Sequence, residues 1–296
     1  MLHTIYNRIS FRQKFFIAFI IFSLSILSLT YYAIKSIDSK KSKLISSQLT
    51  QEKLLQKKKV FNKFINIYAQ TKLFFLRDEL IKIHPKKDSK HKTQVLQKIF
   101  SAIVDSDLSI MQLRFIDYEG NEKIRIEKEF HYSKSKITPS HQLQNKKHRG
   151  YFGRTMSLKQ NQIWFSNIDA NIEQKTVQIP IKPVLRVATP VITNGKKIGI
   201  IILNIFMKDF LKNFGNEAKF DLFIVDKDGY FIFHPNKNNH FSRYKILKHS
   251  LKDEFPEKNY TVDTLHNFQD STIHATRINF FHNEKMILIL KAKNES

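Results

Sequence analysis

Twenty consecutive residues, Phe15 to Ile34 (FFIAFIIFSLSILSLTYYAI), carry no charge. No other feature limits the folding of this chain as strongly. As an α-helix rising 1.5 Å per residue the segment is about 30 Å long, the thickness of a bilayer's hydrocarbon core. Arg8, Arg12 and Lys14 precede it, Lys35 closes it, and Tyr31 and Tyr32 stand where aromatic side chains favour an interface. A cleaved signal peptide has a shorter apolar region and small residues at its cleavage site, where this chain places two tyrosines. The segment therefore reads as an uncleaved anchor. The next apolar runs, Ile198 to Met207 and Met286 to Leu290, are of strand length. Residues 1–14 then form a cytoplasmic N-terminus, 15–34 the transmembrane helix, and the remainder lies on one side of the membrane. Lys35, Lys40, Lys41 and Lys43 make the far flank basic too, so charge alone does not set the orientation. A long following domain translocates regardless of its charge.

The chain has 50 Lys and Arg against 26 Asp and Glu among 296 residues, a net charge of +24. Forty of the basic residues are lysine, spread along the whole length. Base and phosphate readers lean on the guanidinium fork, and no zinc-finger, basic-zipper or RRM pattern occurs, so no nucleic-acid partner is expected. With 42% hydrophobic residues the chain supports a folded core, and with no cysteine it has neither disulfides nor thiolate metal sites.

Residues 35–83 contain almost no Gly or Pro, and Leu54, Phe61, Tyr68 and Phe75 recur seven apart. This predicts a long helix, stopped at His84-Pro85. Lys57, Lys58 and Lys59 interrupt the heptad, so packing against its own domain fits as well as a coiled coil. A second helix is expected over Ser89–Val104. Three strand pairs follow, each turning at a glycine: Ile110–Ile116 with Lys123–Phe130, Val184–Ile192 with Lys197–Phe206, and Asp221–Val225 with Tyr230–His234. The first and third share an apolar-apolar-Asp-x-acid-Gly turn, Phe115 to Gly120 and Ile224 to Gly229, 109 residues apart. That separation suggests two copies of one module.

No nucleophile elbow, P-loop, HExxH or dinucleotide fingerprint occurs, so no catalytic residue, metal or cofactor is assigned. His234 and His240, six apart, read as strand-end residues. Polar and aromatic residues do cluster in Tyr151-Phe152-Gly153-Arg154, Trp164-Phe165-Ser166-Asn167 and Pro183-Val184-Leu185-Arg186. Aromatics with fixed guanidinium and hydroxyl groups suit a small anionic or zwitterionic ligand. The alternative is that Trp164 and Phe152 fill the core and Arg186 makes a structural ion pair.

Three stretches carry a family likeness: MQLRFIDYEGNEKIRIE (Met111 to Glu127), Tyr151 to Ile205 with its Pro-x-x-Arg-x-x-x-Pro order, and DLFIVDKDGYFIFHP (Asp221 to Pro235). Here the chain resembles the double Cache (PAS-like) extracytoplasmic sensor domains of bacterial histidine kinases, diguanylate cyclases and chemoreceptors. The resemblance implies an α+β fold. In it the transmembrane helix runs into the long helix of residues 35–83, followed by two PAS-like modules of antiparallel sheet flanked by helices. Residues 84–214 would be the membrane-distal module and 215–296 the membrane-proximal one. A small ligand would bind the distal module, with Arg114, Tyr151, Phe152, Trp164, Ser166 and Arg186 as site residues. The protein would then be a non-enzymatic, single-pass inner-membrane sensor with its C-terminal domain extracytoplasmic. It would signal through the long helix, as a homodimer or to a partner signalling protein. Relatives continue into an output domain whereas this sequence ends at Ser296, so the sensor is expected to lack its own output. An envelope adaptor that binds a protein partner is the competing reading.

Overall fold

A computed structural model describes residues 10–83, 89–130, 132–173, 176–256, 273–279 and 285–293. The expected helix stop at His84-Pro85 and the flanking Arg8 lie outside the described residues. The chain divides into two compact units, Met1–Leu49 and Thr50–Ser296.

The first helix, α1, spans Phe11–Asn66. In the first unit its apolar side chains, among them Phe15, Phe22 and Leu29, are exposed. Two hydroxyls in that stretch turn back onto the helix, Ser25 to the carbonyl of Phe22 at 2.7 Å and Thr30 to that of Leu27 at 2.9 Å. This hides polar groups that lipid could not satisfy. The stretch is long and apolar enough to cross a membrane.

In the second unit a π-helical segment, Ile67–Leu73, leads into α2 (Phe74–Ile83), and α3 follows over Ser89–Ser106. Leu54, Phe61, Ile65 and Tyr68 are buried in the core, Phe61 edge-on to Phe210 at 5.4 Å. Three of the four heptad positions thus face the protein's own core, but Phe75, beyond the π-helical segment that shifts the helical phase, is 51% exposed. Leu55, Val60 and Ile67 are also exposed. Lys57 sits on the buried side because it is paired, reaching Glu217 at 2.6 Å and the carbonyl of Phe214.

The larger sheet comprises β1 (Ile110–Asp117), β2 (Glu122–Glu127), β3 (Lys136–Ile137), β4 (Trp164–Phe165), β5 (Asp169–Ala170), β8 (Pro183–Thr193) and β9 (Lys196–Phe206). Between β5 and β8 lies a two-stranded ribbon, β6 (Ile172–Glu173) with β7 (Thr176–Val177). The strand order is β3-β2-β1-β9-β8-β4, with β5 also pairing β8. The seven-residue helix α4 (Gly150–Met156) packs on it, and α5 (Lys208–Phe214) follows β9. The smaller sheet holds β10 (Phe220–Val225), β11 (Phe231–Phe233), β12 (Ile273–Asn279) and β13 (Lys285–Ala292), in the order β11-β10-β13-β12. A short helix, α6 (Leu251–Glu254), lies between β11 and β12.

Both sheets run from the second hairpin strand to the first, then the last, then the one before it. The repeated turns are alike in atomic detail. Asp117 Oδ1 accepts the N–H groups of Glu119 and Asn121, and Asp226 Oδ1 accepts those of Asp228 and Tyr230. Gly120 and Gly229 take up φ of +89° and +83°, open to glycine without strain. Each carboxylate is thus a clip that closes its hairpin locally.

Strand alternation gives the larger sheet two faces. Leu113, Phe115, Leu185, Val187, Ile201 and Leu203 join the helices in the main core. The opposite face is divided. One half is apolar, with Ile116, Trp164, Ala188, Ile200 and Ile202 packed beside Phe152 and Leu158, and the other half is polar.

Candidate ligand site

The polar half follows from register. Glu127 on β2 stands opposite Gln112 on β1, Gln112 opposite Asn204 on β9, and Asn204 opposite Arg186 on β8, a polar row across four strands. The neighbouring row pairs Arg125 with Arg114. Asn204 Nδ2 donates to Gln112 Oε1 at 3.3 Å and Gln112 Nε2 to Glu127 Oε2 at 2.9 Å. Arg114 donates to the hydroxyl of Tyr151 at 3.1 Å, to Asn204 Oδ1 at 3.3 Å and to Glu122 at 3.4 Å. Arg114 is 6% exposed, and its Nε–H has no acceptor.

Over this row lies a slot of about 40 Å³ lined by Gln112, Arg114, Arg125, Asn204, Arg186 and, from the covering segments, Lys146, Arg149, Tyr151, Asn171 and Ile172. Among the described residues five lining side chains are cationic and none is acidic. Glu127 neutralises Arg125, with Nη2 to Oε2 at 2.6 Å, and Glu122 answers Arg114. Neither Arg149 nor Arg186 has a carboxylate partner among the described residues. The Arg186 guanidinium makes one long contact, 3.5 Å to Asn171 Oδ1. Its proton affinity is held below the ordinary guanidinium value by burial first, then by Arg114 and, less, Arg149, with Asp169 pulling the other way. Lys146 is lowered by burial, and the arginines 114, 125 and 149 oppose the attraction of Glu122. Burial disfavours the Glu127 carboxylate, yet Arg125, Gln112 and Thr138 hold its pKa below the usual range. Among the described residues the slot carries positive charge that no carboxylate compensates at Arg149 and Arg186.

Of the residues singled out in the sequence, Arg114, Tyr151 and Arg186 line this slot, while Phe152, Trp164 and Ser166 stand apart from it. Trp164 and Phe152 belong to the apolar half, and the indole Nε1–H is buried without an acceptor. Trp164 still abuts Tyr151, ring centroids 6.2 Å apart. Ser166 Oγ accepts the backbone N–H of Arg186 at 2.9 Å and donates to the carbonyl of Asn167 at 2.6 Å, fixing β8 where Arg186 departs. Arg125, Lys146, Arg149, Asn171, Gln112 and Asn204 were not singled out. Alternation within IMQLR already puts Gln112 and Arg114 on one face, but only the register adds the others.

Two other places have comparable polarity. A larger cavity, about 340 Å³, is lined by Asn167, Asp169, Asp226, Asp228, Arg243 and Tyr244 among others. Its polar groups are already engaged: Arg243 bridges Asp226 and Asp228, and the Tyr244 hydroxyl donates to Asp169. His234, His249 and Glu254 bring three possible ligand atoms within 4.8 Å of one another. Asn236 N–H donates to His234 Nδ1 at 2.9 Å, so the neutral ring carries its proton on Nε2 and donates it to Glu254 at 3.0 Å. That tautomer does not suit a metal ligand. His240 Nε2 meets the carbonyl of His234 at 2.8 Å, which ties down the strand end.

A long helix backed by antiparallel sheets, with a polar slot on the outer face of one of them, is the architecture of a PAS-like sensor domain. The family described as bacterial histidine kinase, sensor domain, matches residues 42–289, and the chain belongs to that family. Among solved structures it is similar to a domain of a sensory box/GGDEF family protein from Vibrio parahaemolyticus, at 20% identity over 86% of this chain and 96% of that one, TM-score 0.62. It is also similar to the extracellular domain of the histidine kinase vpHK1S-Z8, at 19% identity over 85% and 90%, TM-score 0.61. A third is the ligand-binding domain of the Pseudomonas aeruginosa amino acid chemoreceptor PctC in complex with GABA, at 10% identity over 84% and 100%, TM-score 0.58. These likenesses show a shared fold. No curated protein matches the sequence.

Proposed function

We propose that this chain is a membrane-anchored, extracytoplasmic sensor that binds a small molecule in the slot over β1, β8 and β9 and acts by binding, without catalysis. The observation that carries this reading is the pair of uncompensated guanidinium groups, Arg149 and Arg186, beside the unsatisfied Nε–H of Arg114. Like charges kept together at a partly buried site have a cost that a bound anion removes. Membership of a sensor-domain family supports the reading, as does the GABA held by the ligand-binding domain of PctC. Residues 84–214 form the membrane-distal module and 215–296 the proximal one, which the repeated sheet order and aspartate clips support. The anchor is the apolar part of α1. The signal leaves along that helix, to a second copy or to a partner, and Val60 and Ile67, seven apart and exposed, offer one face for such a contact.

A ligand at 100 times its dissociation constant stabilises the fold by about 2.7 kcal/mol. A thermal-shift screen of the full chain in detergent, against organic acids, amino acids, amines and purines, therefore tests the proposal. A hit abolished by Arg186→Gln is expected. A hit indifferent to Arg186→Gln and Tyr151→Phe would move the site elsewhere. The envelope-adaptor reading predicts no hit in any class.

A further inference from the structure

We infer that the slot selects a compact ligand with two acidic groups and no ammonium, a small dianion of the dicarboxylate or phosphate type. The inference rests on the slot being the ligand site and concerns what the slot accepts. Donors and acceptors there are not balanced. The acceptors are occupied: Asn204 Oδ1 takes Arg114, Gln112 Oε1 takes Asn204, Asn171 Oδ1 takes Arg186, and Glu127 takes both Arg125 and Gln112. Glu122, the one carboxylate behind Arg114, is also engaged by the N–H of Gln144 at 3.1 Å and is buried. The donors remain available. Arg149 makes no side-chain hydrogen bond among the described residues, Arg186 uses one N–H, and Arg114 keeps Nε–H. The Tyr151 hydroxyl accepts from Arg114 and has its own proton to give.

A ligand ammonium placed here would meet Arg114, Arg149, Arg186 and Lys146, with no free carboxylate lining the slot among the described residues to answer it. Repulsion at such short range in a partly desolvated site is strongly unfavourable. An acidic group would meet guanidinium forks suited to bidentate contact. Two such groups match the two arginines that lack a carboxylate. At about 40 Å³ the slot admits one acidic head as it stands. The second acidic group requires the side chains of Lys146 and Arg149, which sit on the covering segment and not on the sheet, to shift outward, with Arg149 following as its partner.

The test is isothermal titration of the full chain in phosphatidylcholine nanodiscs with four probes: succinate, inorganic phosphate, γ-aminobutyrate and putrescine. Succinate or phosphate should bind at least tenfold more tightly than γ-aminobutyrate, and putrescine should not bind. Whichever dianion wins separates an organic from an inorganic ligand. Arg186→Gln and Arg149→Gln should each weaken dianion binding at least tenfold. Arg186→Gln should leave the ligand-free melting temperature unchanged or raised, since it removes an uncompensated charge, whereas a purely structural arginine would lower it. Binding of γ-aminobutyrate or putrescine as tight as that of either dianion overturns the inference and leaves the slot as the site. Dianion binding untouched by both arginine substitutions, or no binding by any probe, overturns the slot reading and this inference with it.

Discussion

Replacing Arg114 by methionine keeps most of its volume but removes the cation facing Glu122. The two side chains are 7% and 0% exposed, so water cannot take over the carboxylate. Breaking a buried pair by deleting one partner costs about 3–5 kcal/mol, because the remaining charge is left without compensation. Arg114→Met also removes hydrogen bonds to Tyr151 and Asn204. For a domain of this size about 1 kcal/mol corresponds to about 2–4 °C of melting temperature, so a fall of roughly 6–20 °C is expected. The second substitution, Glu122→Gln, discharges the stranded carboxylate while leaving an acceptor for the N–H of Gln144. The double variant should recover at least half of the loss. The assay is thermal unfolding of the full chain in detergent followed by near-ultraviolet circular dichroism, with all four members of the cycle at pH 7. A loss below about 1 kcal/mol in Arg114→Met, the value for an exposed pair, would refute the claim that the Arg114–Glu122 pair lies in a low-dielectric interior. Failure of Glu122→Gln to rescue would refute the claim that the stranded charge is what costs.

Two further outcomes are expected. At Gly199, φ is +153° and an added Cβ would lie 2.1 Å from the carbonyl oxygen of Ile116 on the paired strand, whereas at Gly195 nothing lies within 4 Å. Gly199→Ala should therefore cost about 1–3 kcal/mol beyond Gly195→Ala, which bears only the backbone cost of about 1 kcal/mol; equal melting temperatures would contradict the close β1–β9 approach. Burial disfavours the Glu254 carboxylate, but hydrogen bonds from His249 and His234 hold its pKa below the ordinary 4.5. Its contribution to stability is complete above that value and is lost as pH falls through the folded-state pKa. As pH falls below about 4.5 the wild type should lose more stability in urea titrations than Glu254→Gln, and parallel losses would show the cluster to be energetically idle.

The features legible in the sequence were those written in local pattern. The uncharged run, the glycine turns and alternation such as IMQLRFI announce an apolar helix and strand pairs whose ends fall within a residue or two of those seen, except that β2 ends at Glu127 and not at Phe130. The short strands between Lys136 and Val177 were not legible, since two residues carry no period. The half of the site on Gln112, Asn204 and Arg125 depends on cross-strand register, which β-bulges at Ile110/Gln112 and Val191/Ile192 adjust. The only tryptophan suggests a ligand platform by its chemistry. In the fold it supports Tyr151 from the apolar half, a distinction that residue type cannot make.

The alternation of β1 has a consequence for how such a protein can change over generations. Gln112 and Arg114 face the slot while their chain neighbours Leu113 and Phe115 face the helical core. On the proposed reading, substitutions at 112 and 114 retune what is recognised, and those at 113 and 115 what the helices rest on. A lineage built this way would adopt a new chemical stimulus by point mutation while the packing of its helices is inherited intact.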